Sequence, residues 1–500
     1  MRRRQFLQWG VTPALVSLAA DRGSASRSEA ATPECDAAPI VRSYSHEDHR
    51  RRLENIAHCE QSIRTCLRRH LITRYVPGQA CYNLGEYPSR MMWSPDERDE
   101  HELDQLCDQG IRLVQIMEEW NDLLRLFGGD KFTAVNPAGL RRFVGMVHQR
   151  RMKILLYAST GFFQVTDPDF REEWARPGGV LKLAHWNMAC CSPASPGWRA
   201  YVLPRMIRVL DDYSVDGLYN DLGYLPLYRN TKDRTPDEIL AMTETADHDA
   251  ALEDLLSLVY SAVKRRGGTY KVHQDGALCP KTFSKVYDYL WVGEGESNPD
   301  VVRERVKNHP PYVVPCIDLS EVKIDSEDDK YLHAIPYMQF PLLLAGRPFT
   351  GERVSVPGVK YYPGPWDTRW RRILEYYRAN PNGPYTYGPW DAFPGNPETR
   401  AIHARWLMRY LNLVEEGTRA YLEIRDSSLF LRPLPAGVVA SAFAGRELWL
   451  VLANYNRAES SIGIAEPYIE AFGGNAPAKA NWKLAPRSLL ILRHSSAAAG

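Results

Sequence analysis

Two short hydrophobic runs in this 500-residue chain end in carboxylates. Val215-Asp-Gly-Leu-Tyr-Asn-Asp-Leu-Gly-Tyr224 reads as a buried strand from Val215 to Tyr219 that stops at Asn220, Asp221 and a glycine. About 70 residues on, room for roughly two further strand–helix units, Tyr289-Leu-Trp-Val292 runs into Gly293-Glu-Gly-Glu296. A carboxylate delivered to the C-terminal end of a strand is how a parallel barrel presents catalytic groups. Two opposed carboxylates are what cleavage of a glycosidic bond uses. One attacks the anomeric carbon or activates water, and the other protonates the leaving oxygen. The candidate catalytic residues are Asp221 with Glu294 or Glu296. A carboxyl separation of about 5–5.5 Å would mean retention of configuration, and about 6.5–9.5 Å inversion.

The elements that must hold these groups repeat in a helix-then-strand order. Asn136-Pro137, Ser195-Pro196 and Asn298-Pro299 each pair an N-cap residue with proline at the first helical position. The first opens a helix with Leu140, Phe143, Val144 and Val147 on one face and leads to the strand Lys153–Ala158. The second runs through Trp198, Val202, Met206 and Val209 to Val215–Tyr219. The third runs through Val302 and Val306 to Tyr312–Ile317. A helix from Asp96 to Asp108 precedes the strand Gly110–Met117, and one from Asp249 to Lys264 precedes Tyr270–His273. With a first strand near Ala80–Leu84, the sixth at Tyr289–Val292 and an eighth near Pro341–Ala345, the count is eight. The predicted fold is a (β/α)8 TIM barrel over residues 40–415, closed by a helix from Glu398 to Leu413. No Gly-x-Gly-x-x-Gly opens a helix, which argues against an open doubly wound sheet. Before the barrel, Ser45–Arg69 reads as one amphipathic helix. After it, the runs Tyr421–Ile424, Leu429–Leu431, Val438–Phe443, Glu447–Asn454 and Ser488–Leu492 predict a small C-terminal antiparallel β-sandwich over residues 416–495.

Strand ends then supply the candidate site. Glu118, Glu119 and Trp120 follow the second strand, Ser159 and Thr160 the third, Asn220 and Asp221 the fourth, Asp275 the fifth, Glu294 and Glu296 the sixth, and Asp318 the seventh. Glu118, Trp120, Asn220, Asp275 and Asp318 are read as substrate-binding. Trp366 and Trp390 join them from the Pro-, Gly- and aromatic-rich stretch Tyr361–Phe393, which makes either a sugar-stacking rim or a packed loop. Each residue has a plainer alternative. Asp221 could cap the next helix, Asp275 could turn with Gly276, and one of Glu294 and Glu296 could simply face water. Asp216 reads as a cap or turn, and His185 and His273 as structural histidines.

The run Gly197-Trp-Arg-Ala-Tyr-Val-Leu203 followed by Tyr213-Ser-Val-Asp-Gly-Leu-Tyr-Asn-Asp221 resembles the fourth-strand region of barrel glycoside hydrolases of the α-galactosidase and α-glucosidase superfamily. The resemblance implies that Asp221, after a D-G-hydrophobic-aromatic strand, is the nucleophile. It implies a carboxylate after the sixth strand as acid/base, which falls on Glu294, although that family usually places an aspartate there. It also implies a β-sandwich after the barrel. The family's acidic motif after the first strand is not evident; Glu86 stands nearest.

Residues 1–31 are set aside from the fold. Arg2-Arg-Arg-Gln-Phe-Leu-Gln8 matches a twin-arginine signal, Trp9–Ala20 is apolar but too short to anchor in a bilayer, and Ala30-Ala31 offers a cleavage site. The expectation is bacterial export to the periplasm or beyond, with no membrane anchor after processing. A net charge of +1 gives no electrostatic footprint for nucleic acid. Thirteen Trp and 27 Tyr suit a carbohydrate partner. The nine cysteines form no framework: Cys59 and Cys66 read as buried thiols, Cys190 and Cys191 as packing thiols, and no Cys or His cluster has metal spacing. No cofactor is called for. The sequence therefore points to an exported glycoside hydrolase, retaining and acting on an α-linked poly- or oligosaccharide. The alternative is a catalytically silent barrel that binds glycans at the cell surface.

Overall fold

The fold is that of a computed structural model, which describes residues 44–84, 93–121, 131–165, 167–183, 186–221, 248–273, 286–292, 298–309, 312–315, 328–346, 397–474 and 476–495. The chain enters with helix α1 (His46–Ser62) and strand β1 (Ile63–Leu71). Next come β2 (Gln79–Asn83), α2 (Glu97–Asp108), β3 (Leu113–Ile116), α3 (Pro137–Gln149) and β4 (Lys153–Tyr157). An inserted set follows: β5 (Phe162–Gln164), β6 (Ala175–Leu183) and β7 (Trp186–Cys191). Helix α4 (Pro196–Tyr213) leads to β8 (Gly217–Asp221), α5 (His248–Arg265) to β9 (Thr269–His273), and then comes β10 (Tyr289–Val292). Helix α6 (Pro299–Val306) leads to β11 (Tyr312–Pro315), α7 (Asp329–Ala334) to β12 (Leu343–Gly346), and α8 (Pro397–Leu411) ends this part.

Eight of these strands form one curled parallel sheet in the order β11-β10-β9-β8-β4-β3-β2-β12. From β2 to β11 the strands of this sheet are neighbours in chain order. The eighth strand returns to the first, with Leu343 opposite Ala80 and Gly346 opposite Asn83. An open doubly wound sheet has no such return pairing. The three Pro-initiated helices form as their caps predict. Gly139 N donates to Asn136 Oδ1 (2.9 Å), Trp198 N to Ser195 Oγ (3.3 Å) and Asp300 N to Asn298 Oδ1 (2.9 Å). Leu140, Phe143 and Val147 of α3, and Trp198, Val202, Met206 and Val209 of α4, are fully buried, so the 3.6-residue apolar face is the packing face.

The C-terminal part is antiparallel, as its alternation predicts, but its pairings differ. Strands β13 (Arg419–Ser427), β14 (Val438–Ala444), β15 (Leu448–Asn454), β16 (Ser460–Glu470), β17 (Lys479–Leu484) and β18 (Ser488–His494) follow α8. These strands join one seven-stranded order, β1-β13-β14-β15-β18-β16-β17. Its first member comes from the other end of the chain. The predicted helix Ser45–Arg69 therefore stops at Ser62. Ile63, Thr65 and Cys66 turn extended because β13 offers a ladder of backbone partners, from Ile63–Ser427 to Leu71–Arg419. Leu429–Leu431 contributes a single bridge, Phe430–Ile464, in place of a strand. Cys59 and Cys66 are free, as are Cys190 and Cys191, but the first pair is split between helix and strand. Helix α7 and the 3-10 turn after it, Ile335–Tyr337, bond to the antiparallel sheet. Arg487 grips the Asp329 carboxylate at 2.7 and 2.8 Å, Ser441 Oγ donates to Pro336 O (2.7 Å), and Tyr455 OH donates to Leu332 O (3.1 Å).

Candidate active site

Strand parity decides what meets at the C-terminal end of the parallel sheet. Side chains alternate between faces, and residues paired across parallel strands share one. Tyr157 is opposite Tyr219, Tyr219 opposite Lys271, Asp221 opposite His273, and His273 opposite Trp291. Tyr157, Tyr219, Asp221, Lys271, His273 and Trp291 therefore lie on one face. Gly217 begins β8 where β9 comes closest: a Cβ there would sit 1.7 Å from Thr269 O, so no other residue fits.

At the strand ends Tyr157 OH donates to Asp221 Oδ2 at 2.9 Å. The other oxygen, Oδ1, lies 3.7 Å from His273 Nδ1, and the two side chains keep 20% and 11% of their surface exposed. His273 packs on Trp291 with ring centroids 4.6 Å apart, and Tyr219 meets Trp291 edge-on at 5.1 Å. Asp221 is thus a strand-end carboxylate with one oxygen fixed by a phenol, the other beside an imidazole, and a side open to solvent. Deeper on the same face a fully buried cation, Lys271, donates to Gln79 Oε1 (3.0 Å), with its ammonium 6.0 Å from the Trp291 ring. Burial pushes the Cys190 thiol on β7 up to about 12, with the charge of Arg176 opposing that rise and the charge of Asp221 adding to it.

The other predicted residues separate. Asn220 lies on the opposite face and is fully buried. Its Oδ1 accepts from Thr160 N (2.9 Å), and its Nδ2 donates to Tyr270 OH (2.6 Å) and Thr160 Oγ1 (2.9 Å). Burial raises Tyr270 well above a phenol's ordinary value, eased by Asn220, so this network stays neutral. Parity turns Asn220 away from Asp221 and makes it part of the scaffold.

Trp120 is likewise no platform for a sugar. It is fully buried, with its indole N–H on Tyr157 O (2.9 Å) and its ring edge-on to Tyr213 at 5.6 Å. A three-residue 3-10 turn, Glu118–Trp120, folds it inward and buries Glu118 and Glu119 as well, and Glu119 Oε1 accepts from Leu84 N (3.1 Å). Asp216 accepts from Ile154 N (2.9 Å) and His148 Nε2 (2.8 Å) at the opposite end of the sheet. Glu294, Glu296, Asp275, Asp318, Trp366 and Trp390 lie outside the described residues. Sequence reasoning missed Tyr157, although its place two and four residues beyond Leu155 and Lys153 at a strand end was available as a parity signal. Among the described residues no cluster of three or more His, Cys, Asp or Glu could hold a metal ion, and no helix is long and apolar enough to cross a membrane.

No family model matches the chain, and no curated protein sequence matches it. Solved structures do. The trehalulose synthase MutB of Pseudomonas mesoacidophila MX-45, solved as a variant with its substrate sucrose, superposes with a TM-score of 0.50 at 12% identity, over 84% of this chain and 99% of that one. The maltogenic α-amylase AmyB from Thermotoga neapolitana gives 0.48 at 14% identity over 84% and 99%. A putative α-amylase from Salmonella typhimurium gives 0.46 at 13% over 85% and 83%. At such identity the likeness is one of fold alone, and this chain's share of it is a parallel α/β sheet with an antiparallel sheet.

Proposed function

We propose that this chain is a glycoside hydrolase that cleaves α-linked poly- or oligosaccharide with retention of configuration. The observation that carries the reading is Asp221, at the C-terminal end of the fourth parallel strand, bonded by Tyr157 and open to solvent on one side. Asp221 attacks the anomeric carbon. Glu294, or Glu296, protonates the departing oxygen, and the sugar is left as an ester on Asp221. The same glutamate then takes a proton from water, whose oxygen displaces the ester. Glu294 and Glu296 follow the end of β10 in sequence, and Trp291 of β10 is paired with His273, so that strand ends beside the one that neighbours Asp221. The scheme uses no metal and no cofactor.

Tyr157 holds the carboxylate in its attacking orientation, and His273 faces the substrate beside it. Asp275, Asp318, Trp366 and Trp390 remain the proposed sugar ligands, while Glu118, Trp120 and Asn220 are buried and act as scaffold. The seam between β11 and β12 closes the barrel in this reading. The fold shared with MutB, solved with its substrate sucrose, supports glycosidic chemistry by analogy of architecture.

The test is turnover of a panel of aryl α- and β-glycosides and bacterial polysaccharides by the mature protein and its Asp221→Asn variant. The expected result is cleavage by the parent and at least about a 1,000-fold loss in the variant. Equal cleavage by both would remove Asp221 from the chemistry. Silence from both, with saturable binding on a glycan array, would make the chain a binding barrel instead. The same reading sends the chain out of the cytoplasm through Arg3 and Arg4. Replacing both by lysine should leave unprocessed precursor in the cytoplasm in a pulse–chase fractionation, and unaltered processing would refute that route.

A further inference from the structure

Lys131 is a buried lysine that the scheme above does not use. It is 4% exposed, and its ammonium lies 5.2–5.3 Å from the ring centroids of Phe132, Phe163 and Trp198. Burying an ammonium is costly, and an apolar side chain of the same length would fill an aromatic box at lower cost. The donors of Lys131 point to what its charge is for. They go to Ser159 O (3.3 Å) and to Phe162 O, the two ends of the turn between β4 and β5. The carbonyls between them are taken by Trp198 Nε1 (Thr160 O, 2.9 Å) and Cys191 N (Gly161 O, 2.7 Å). Two amides of the turn close inward: Gly161 N and Phe162 N both donate to Ser159 Oγ at 3.1 Å. That hydroxyl has its own proton left to give, and it gives it to Asp221 O at 2.9 Å. Lys131 therefore clamps a turn that meets the end of β8 twice, through Thr160 on the Asn220 side chain and through the Ser159 hydroxyl on the backbone of Asp221.

We propose that Lys131 is a positioning residue for Asp221, acting through the Ser159 hydroxyl. The proposal rests on the glycosidase reading. A carboxylate that must approach an anomeric carbon tolerates little displacement, and about 1 Å of misplacement costs roughly 100-fold in rate. Lys131→Met keeps the length and removes the donors. It should lower kcat about 10- to 100-fold with KM within about threefold of the parent. Ser159→Ala should act in the same direction. The double variant should be little worse than Lys131→Met alone, because both remove one linkage. Lys131→Arg, which keeps a cation and donors, should retain most of kcat. Multiplicative losses in the double variant, or a parent-like kcat for Lys131→Met, would overturn the proposal.

Hydrogen exchange read by mass spectrometry on the peptides covering Tyr157–Gln164 and Gly217–Asp221 gives a readout free of activity. Both peptides should exchange faster in Lys131→Met, and unchanged exchange would also overturn the proposal. If the parent cleaves no glycoside while both peptides respond, the linkage stands and the glycosidase reading falls. Should Lys131→Met fail to fold, Ser159→Ala and Lys131→Arg carry the same comparison.

Discussion

The two ends of the parallel sheet are built from the same kinds of residue to opposite effect. At the end where the strands begin, Tyr289 and Tyr312 open β10 and β11 and stack with Tyr75, whose ring lies 4.0 Å from that of Tyr312. Every hydroxyl there is spent on sealing the floor. Tyr312 OH accepts from Thr73 N and donates to Thr73 O (3.0 Å each), and Tyr289 OH accepts from Val76 N (2.8 Å). Tyr75 and Tyr410 share a bond of 3.2 Å. Burial pushes the Tyr312 hydroxyl up to about 12, so it stays neutral in that packing. At the end where the strands finish, the phenol of Tyr157 is aimed at a carboxylate, and the carboxylate keeps an open side. One end spends its phenols on closure, and the other sets a phenol on a partly exposed strand-end carboxylate.

The largest difference between the ends should appear with Asp221→Asn, which removes turnover as described and leaves thermal stability at the parent value. A loss of stability equal to that of a core substitution would place Asp221 with the floor. Next is an acid effect outside the site. His403, fully buried, donates from Nε2 to Pro341 O (3.2 Å), and burial, with Lys330 and Arg400 nearby, pushes it down to about 4. Its folded value lies below its unfolded one, so the unfolded chain binds the proton first. Stability is held above the unfolded value of 6.5 and lost as pH falls from there to about 4, by about 3 kcal/mol in all. Urea midpoints at pH 7 and pH 4.5 should differ less in His403→Gln than in the parent, and an equal difference would discount the histidine.

Tyr157→Phe comes third. Losing one hydrogen bond to a charged group, about 1.5–3 kcal/mol, should lower kcat about 10- to 100-fold with little change in melting temperature. Tyr312→Phe is the smallest and its mirror image. It leaves Thr73 N unsatisfied and should cost about 1–3 kcal/mol in urea unfolding with kcat unchanged. If Tyr312→Phe slowed turnover as Tyr157→Phe does, the two ends would not be separate in function.

Local chemistry was legible in the sequence, and distant chemistry was not. Asn136, Ser195 and Asn298 announce their helices because a cap and its proline are read within four residues. The eight parallel strands follow from those helices. The first strand of the antiparallel sheet was hidden because Ile63 continues the spacing of Leu53 and Ile56, and nothing nearby reveals the waiting β13. At the site, strand ends were found but not their faces. Asn220 and Asp221 are adjacent letters, and only the pairing of β8 with β9 shows that one turns to the scaffold and the other to the opening. Trp120 differs for another reason: its place after a strand suited the site, and the 3-10 turn at Glu118–Trp120 puts it in the core.

The pairing of β1 with β13 also sets a schedule for the ribosome. Ser427 Oγ bonds to Ser62 O across 365 residues of chain. At about 5–20 residues per second, β1 leaves the exit tunnel roughly 20–70 s before its partner exists. For that interval its backbone is an unclaimed edge, available to any other extended chain. Nascent copies on one messenger are therefore each other's nearest hazard. Its run of Arg64, Arg68 and Arg69 supplies the like charge that would keep those copies apart until β13 arrives.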